Sequence, residues 1–192
     1  MAGGLAALLD DVAVIAKMAS AAGTKAVGVV IDDAAVTPRY VTGFSPAREL
    51  PMIWKIARGS LVNKAIIIVA LMLLSQFAPW ILTPLLMLGG AYLVFEGAEK
   101  VWEYFRGHPD GHAEGEQPAA VQGPEREAQM VRGAITTDFV LSAEIMMISL
   151  NEIGDAEFWP RLITLVVVGL GITALVYGVV ALIVKMDDIG LK

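Results

Sequence analysis

The sequence predicts an all-α, polytopic transmembrane helical bundle of about five crossings, with one interfacial amphipathic helix. Three observations carry that prediction. The 192 residues are 56% hydrophobic and only 18% charged, where soluble domains run nearer about 45–50% and about 25%; the mean hydropathy is +0.65. Two runs hold no charge at all: 31 residues between Lys64 and Glu96, and 23 residues over 162–184. Basic residues gather in alternate connecting segments, as the positive-inside rule requires of a multi-pass chain.

Each element follows in order. The N-terminal stretch MAGGLAALLDDVAVIAKMASAAG has no basic residue before its apolar run, and Asp10 and Asp11 interrupt it. It is therefore not a secretory signal, and 5–22 reads as a retained first crossing or a segment lying in the interface. The stretch PARELPMIWKIARGS, 46–60, reads as an amphipathic helix at the inner surface. Leu50, Ile53, Trp54, Ala57 and Leu61 form its apolar face, with Lys55 and Arg58 available for head groups. The long uncharged run breaks at FAPWILTP, where Pro79 and Pro84 end or kink a helix. Two short crossings, 62–78 and 81–97, joined by a tight hairpin, satisfy it. The segment 98–132 is rich in Gly, Pro, Glu and His and predicts a mobile cytoplasmic loop. The crossings 134–150 and 162–184 complete a single membrane domain over 1–192.

The basic residues orient the bundle. Lys25, Arg39, Arg48, Lys55, Arg58 and Lys64 precede the hairpin; Lys100, Arg106, Arg126 and Arg132 follow it; Lys185 and Lys192 follow the last crossing. The opposite loops carry only Arg161. The N-terminus is expected outside and the C-terminus in the cytoplasm.

Composition also excludes. A net charge of −6 argues against nucleic acid. With no cysteine, disulfides, thiolate metal sites and catalytic thiols are impossible. No phosphate-binding loop, dinucleotide glycine fingerprint or Gly-x-Ser-x-Gly is present, so the chain is not expected to be an enzyme. His108 and His112 flank Asp110 in HPDGH, but Pro109 and Gly111 disfavour a helix that would join them on a metal. Membrane lipids are the expected surroundings, and the many glycines are compatible with a homo-oligomer.

Acids inside apolar segments raise the functional question. Doubled aspartates occur as Asp10 and Asp11, Asp32 and Asp33, and Asp187 and Asp188. The latter two pairs read as helix ends, where aspartate meets unpaired backbone N–H groups. In TTDFVLSAEIMMISL, 136–150, a helix at about 100° per residue puts Asp138 and Ser142 on one side. Thr137 and Glu144 align about 120° away, and Phe139, Val140, Ala143, Met146 and Met147 fill the opposite arc. The acids can thus converge on the bundle interior. Oxygen ligands without thiols suit Mg²⁺, Ca²⁺ or Mn²⁺, and the same acids can relay protons. Lys17 either snorkels to the interface or pairs with an acid of another segment.

The strings LLDDVAVIAK, RELPMIWKIARGSLVNK, APWILTPLLMLGGAYLVFEGAEKV, GAITTDFVLSAEIMMISL and VKMDDIGL resemble the YedI-like family of bacterial inner-membrane proteins, a domain of unknown function. The resemblance covers nearly the whole chain. It implies a polytopic inner-membrane protein with no established activity, and further hydrophobic segments beyond the point where this chain stops. DFVLSAEI also looks like the acidic motif of TerC-like metal-ion exporters, which carry such a segment in each of two repeats. LLDDVAVIAK would be the first copy here. That likeness implies a cation site made by Asp10, Asp11, Asp138 and Glu144 near the midplane, although Ala143-Glu144 stands where the motif has Asp-Asn. The expected function is a divalent-metal or proton-coupled cation transporter, with no cofactor beyond a bound divalent cation. The alternative is a non-transporting membrane scaffold or partner-binding subunit.

Overall fold

The computed structural model describes residues 2–41, 46–106 and 124–190. Within them the chain is helical throughout: α1 (Ala2–Lys25), α2 (Val27–Val36), α3 (Pro46–Phe77), α4 (Leu82–Arg106), α5 (Pro124–Glu152) and α6 (Phe158–Gly190), with 3₁₀ turns at Thr37–Tyr40 and Pro79–Ile81.

Proline and glycine set the boundaries. Ala78, which precedes Pro79, leaves the helical region at φ −146° and ψ 58°, because proline crowds a helical residue before it. That ends α3. Pro84 and Pro160 fall in the first turns of α4 and α6, where no backbone donor is lost. Between α1 and α2 the axis bends by 64°. Gly23 and Gly28 flank the bend, where an added Cβ would meet nothing within 4 Å, and no proline lies there.

The outer surface is apolar and the interior is partly polar, the reverse of a soluble domain. On α3, Val62, Ile66, Val69 and Leu73 are exposed, while Ser60, Asn63 and Lys64 are buried. On α6, Leu165, Val168, Ile172, Val176, Val180 and Val184 form the buried stripe at helical spacing, and Val166, Leu170, Leu175 and Leu182 face outward. Apolar patches of this extent need lipid or a partner against them. The fold is an all-α membrane bundle.

Helix α3 packs on α5 and α6 at the centre, and α1 and α2 lie against α5 and α6. Contacts fix the directions. Lys55 meets Glu127, Ser60 meets Asp138 and Lys64 meets Ser142, so α3 and α5 run parallel. Tyr177 meets Asp138 and Arg161 meets Ser75, so α6 runs antiparallel to both. The chain must return between α3 and α5. Helix α4 makes that return beside α5, with Met147 3.6 Å from the position a Cβ on Gly89 would take.

Several expected boundaries move. Among the described residues three helices, Arg48–Phe77, Glu125–Glu152 and Phe158–Met186, are long and apolar enough to cross a membrane, and the bent pair Leu9–Lys25 with Val27–Val36 makes up to four, against about five expected. The second arm of the expected hairpin has only a short apolar part, Pro79–Ala91. The expected interfacial helix over 46–60 is not separate. Pro51 is accommodated inside α3, whose 32 residues span about 48 Å at 1.5 Å each. Its apolar face is also divided, with Ile53 and Ala57 buried while Leu50, Trp54 and Leu61 are exposed. The expected loop 98–132 is helical at both ends, since α4 continues to Arg106 and α5 begins at Pro124, and the part between lies outside the described residues. His108, Asp110 and His112 lie outside the described residues.

Candidate functional site

The two central helices each place polar side chains one turn apart on the face they share. Ser60, Asn63 and Lys64 do so on α3, and Asp138 and Ser142 on α5. Because the helices are parallel, the two sets meet in register.

Lys64 and Asp138 form a buried ion pair, with Nζ 3.2 Å from Oδ1 and each residue 2% exposed. The ammonium also donates to Ser60 Oγ at 2.6 Å and Ser142 Oγ at 2.8 Å. All three of its protons thus have acceptors. Asp138 Oδ1 further accepts from Ser60 Oγ at 2.6 Å and Tyr177 OH at 3.2 Å. Its Oδ2 accepts from Asn63 Nδ2 at 3.0 Å, and the same amide donates to the Ile135 carbonyl at 2.8 Å. Four donors on one carboxyl is an acceptor-only arrangement that a carboxylate matches.

A second carboxyl lies beside this network. Asp33, on α2, is 2% exposed and within Coulombic reach of both Asp138 and Lys64. Its Oδ1 accepts from Thr37 Oγ1 at 3.2 Å, while Oδ2 is buried with no partner. A third, Glu144, is 7% exposed. Its Oε2 is also buried without a partner, and Asp32 is within Coulombic reach of it. Farther along, the hydroxyls of Ser149 and Thr164 are buried and unpartnered.

Asp138 and Glu144 both lie inside the bundle. The angular reading of 136–150 also places Ser142 correctly beside Asp138. Thr137 turns elsewhere and shares a 2.8 Å hydrogen bond with Tyr40 OH. Phe139 and Val140 face outward, but Met146, assigned to the same arc, is fully buried. Asp10, Asp11 and Lys17 are exposed on α1. The four-acid metal set of Asp10, Asp11, Asp138 and Glu144 is therefore not assembled, and no group of three acids or histidines able to hold a metal occurs among the described residues. The physical reason is at the centre: Lys64 already supplies the positive charge that a metal would bring to Asp138.

Asp32 and Asp33 correct the helix-end reading. They fall in the second half of α2, not at its start, and Asp33 points inward. Asp187 and Asp188 lie within α6, which runs on to Gly190 instead of beginning a new turn.

Lys64 and Asp33 are the residues that charge counting missed. By position Lys64 falls among the bases that precede the expected hairpin, yet it is buried. Its signal was local: in SLVNK, Ser60, Asn63 and Lys64 recur at i, i+3 and i+4 on an otherwise apolar helix, so they share a face.

One family matches the chain, over residues 3–192, and its description is a protein of unknown function, DUF808. No curated protein and no solved structure matches.

Proposed function

Because the chain belongs to the DUF808 family, whose description assigns no activity, we propose from the site itself that the protein is a multi-pass membrane transporter that couples cation movement to protons held on buried carboxyls. The carrying observation is an imbalance. Lys64 is ion-paired with Asp138, and Asp33, buried within Coulombic reach of both, has no ion pair of its own among the described residues. The trio is neutral only when one carboxyl carries a proton. Burying a net charge is costly, so gain or loss of that proton changes which arrangement of the helices is favoured. The free Oδ2 of Asp33 is where the proton has room.

Lys64 also bears on the substrate. Its ammonium is a tethered cation already seated on Asp138. A mobile cation reaching Asp138 must displace it, which gives competition between an internal and an external charge. A divalent-metal cage of carboxylates, the reading drawn from the TerC-like likeness, has less support, because the acids do not cluster. The α1–α2 break puts Asp33 just beyond a bend of 64°, and discontinuous helices are where membrane transporters commonly hold ions.

Orientation follows the same argument from charge. Arg48, Lys55, Arg58, Arg126, Arg132 and Lys185 belong to one end of the α3–α5–α6 core, given the helix directions. Arg161 is at the other end, held by the Gly154 and Ala156 carbonyls. The basic end is assigned to the cytoplasm of a bacterial inner membrane, with the N-terminus outside.

The test is reconstitution into vesicles holding a trapped pH dye, with Na⁺, K⁺, Mg²⁺, Ca²⁺ or Mn²⁺ gradients imposed in turn. One of these cations is expected to drive proton movement. Asp33→Asn and Asp138→Asn are each expected to lower that movement at least about tenfold, while Asp10→Asn leaves it unchanged. A protein that moves no protons under any gradient, or moves them equally in all variants, is a scaffold whose ion pair only holds helices together.

A further inference from the structure

At the basic end of the bundle, α3 and α5 leave a cavity of about 320 Å³ lined by Lys55, Glu127, Ala128, Val131 and Arg132. We propose that this cavity binds the headgroup of an anionic phospholipid from the surrounding bilayer. The proposal does not depend on transport; it needs only the membrane location.

The lining has the two halves such a ligand requires. Lys55 and Arg132 supply cations, and Ala128 and Val131 supply an apolar floor beside them. Lys55 Nζ is drawn toward the cavity by Glu127 Oε1 at 2.5 Å, and Arg48 lies 3.7 Å from the other oxygen of the same carboxylate. One acid thus gathers two bases. The Arg132 guanidinium is bound by no carboxylate among the described residues. On the stretches of α3 and α5 that border the cavity, 46–58 and 124–132, Arg48, Lys55, Arg58, Arg126 and Arg132 give five positive charges against three from Glu49, Glu125 and Glu127, a net of +2. A compact anion meets an excess of positive charge here, and a neutral headgroup gains nothing from it.

The depth is also right. Trp54 is exposed on α3, with the Arg58 guanidinium 5.0 Å over its ring. A tryptophan capped by a cation is an anchor of the membrane–water boundary. Below it on the same helix, Leu61, Val62 and Ile66 face outward and meet hydrocarbon. Lys55, one residue from Trp54, therefore sits at the level of lipid phosphates. Basic pockets between membrane helices at this level suit anionic headgroups.

The experiment is native mass spectrometry of the full chain released from vesicles of equal parts phosphatidylglycerol and phosphatidylcholine. Phosphatidylglycerol is expected to stay bound in preference to phosphatidylcholine. The double variant Lys55→Gln with Arg132→Gln is expected to weaken its retention roughly thirtyfold, and Lys17→Gln, an exposed base outside the cavity lining, to change nothing. Glu127→Gln releases both Lys55 and Arg48 and is expected to tighten retention, a direction that damage to the fold cannot mimic. Equal retention of the two lipids, indifference to the double variant, or weaker binding by Glu127→Gln overturns the proposal. So does displacement of the lipid by glycerol phosphate in solution, which identifies a site for soluble phosphates instead.

Discussion

Helices α1 and α5 both carry acids inside apolar sequence, yet the fold treats them in opposite ways. Asp10 and Asp11 are exposed on α1. Asp138, on α5, is buried and accepts from Ser60, Asn63, Lys64 and Tyr177. Neither segment's own sequence accounts for the contrast. Asp138 can be buried because α3 runs parallel to α5 and presents a base, an amide and a hydroxyl at the matching level. The lesson is that an acid in a membrane segment is explained by the helix opposite it. A segment without such a helix must keep its acids where water or head groups reach them.

The largest expected effect breaks that contrast directly. Lys64→Met strands Asp138 as an uncompensated buried charge and should destabilise the protein by about 3–5 kcal/mol. Asp10→Asn and Asp11→Asn should stay within about 0.5 kcal/mol. Thermal unfolding in detergent micelles measures both. The double variant Lys64→Met with Asp138→Leu should recover most of the loss, since paired ions can be replaced by apolar groups at little cost. Equal sensitivity at Lys64 and Asp10 would show that partner helices do not decide the matter.

A middle-sized effect sharpens the claim that the parallel α3–α5 contact sets the register. Gly59 lies against Ile135: a Cβ there would come within 2.5 Å of Ile135 Cδ1 and 2.6 Å of Cγ1. The branched side chain has little freedom to withdraw. Gly59→Val is expected to cost about 1–3 kcal/mol, and Ile135→Ala should offset part of it. Because Asn63 donates to the Ile135 carbonyl, separation at Gly59 should also loosen the Asn63–Asp138 bond. No rescue by Ile135→Ala would place the strain elsewhere.

Helix existence and the membrane setting were legible because they rest on local quantities. Uncharged length identified α3 and α6, apolar content despite its acids identified α5, and the proline rules identified the break near Ala78. What was not legible depends on pairing. SLVNK shows that Ser60, Asn63 and Lys64 share a face, but not where that face turns; that is settled by Asp138 and Ser142, 74 and 78 residues away from Lys64 in sequence. Asp33 was hidden for a similar reason. Its helix-end reading rested on residue type alone, whereas the bend before α2 turns it toward the bundle. The single helix over 46–77 is not legible because 46–60 reads as interfacial from its apolar face and its bases Lys55 and Arg58, and nothing local shows that α3 runs on through Pro51 without a break.

The smallest effect concerns the edge of the same network, where α2 gives way to the 3₁₀ turn. Tyr40 OH and Thr137 Oγ1 share a 2.8 Å hydrogen bond, and the Tyr40 ring lies 3.3 Å from where a Cβ on Gly133 would stand. Thr137 directly precedes Asp138, so this bond ties the segment carrying Asp33 to the helix carrying its neighbour. Tyr40→Phe and Thr137→Val should each cost about 0.5–1.5 kcal/mol, and the double variant should cost little more than either alone, because the two remove one interaction. Additive losses would mean that the hydroxyls serve separate partners. Asp138 would then be held by α3 and α6 without help from α2, and the contrast between α1 and α5 would rest on those two opposing helices alone.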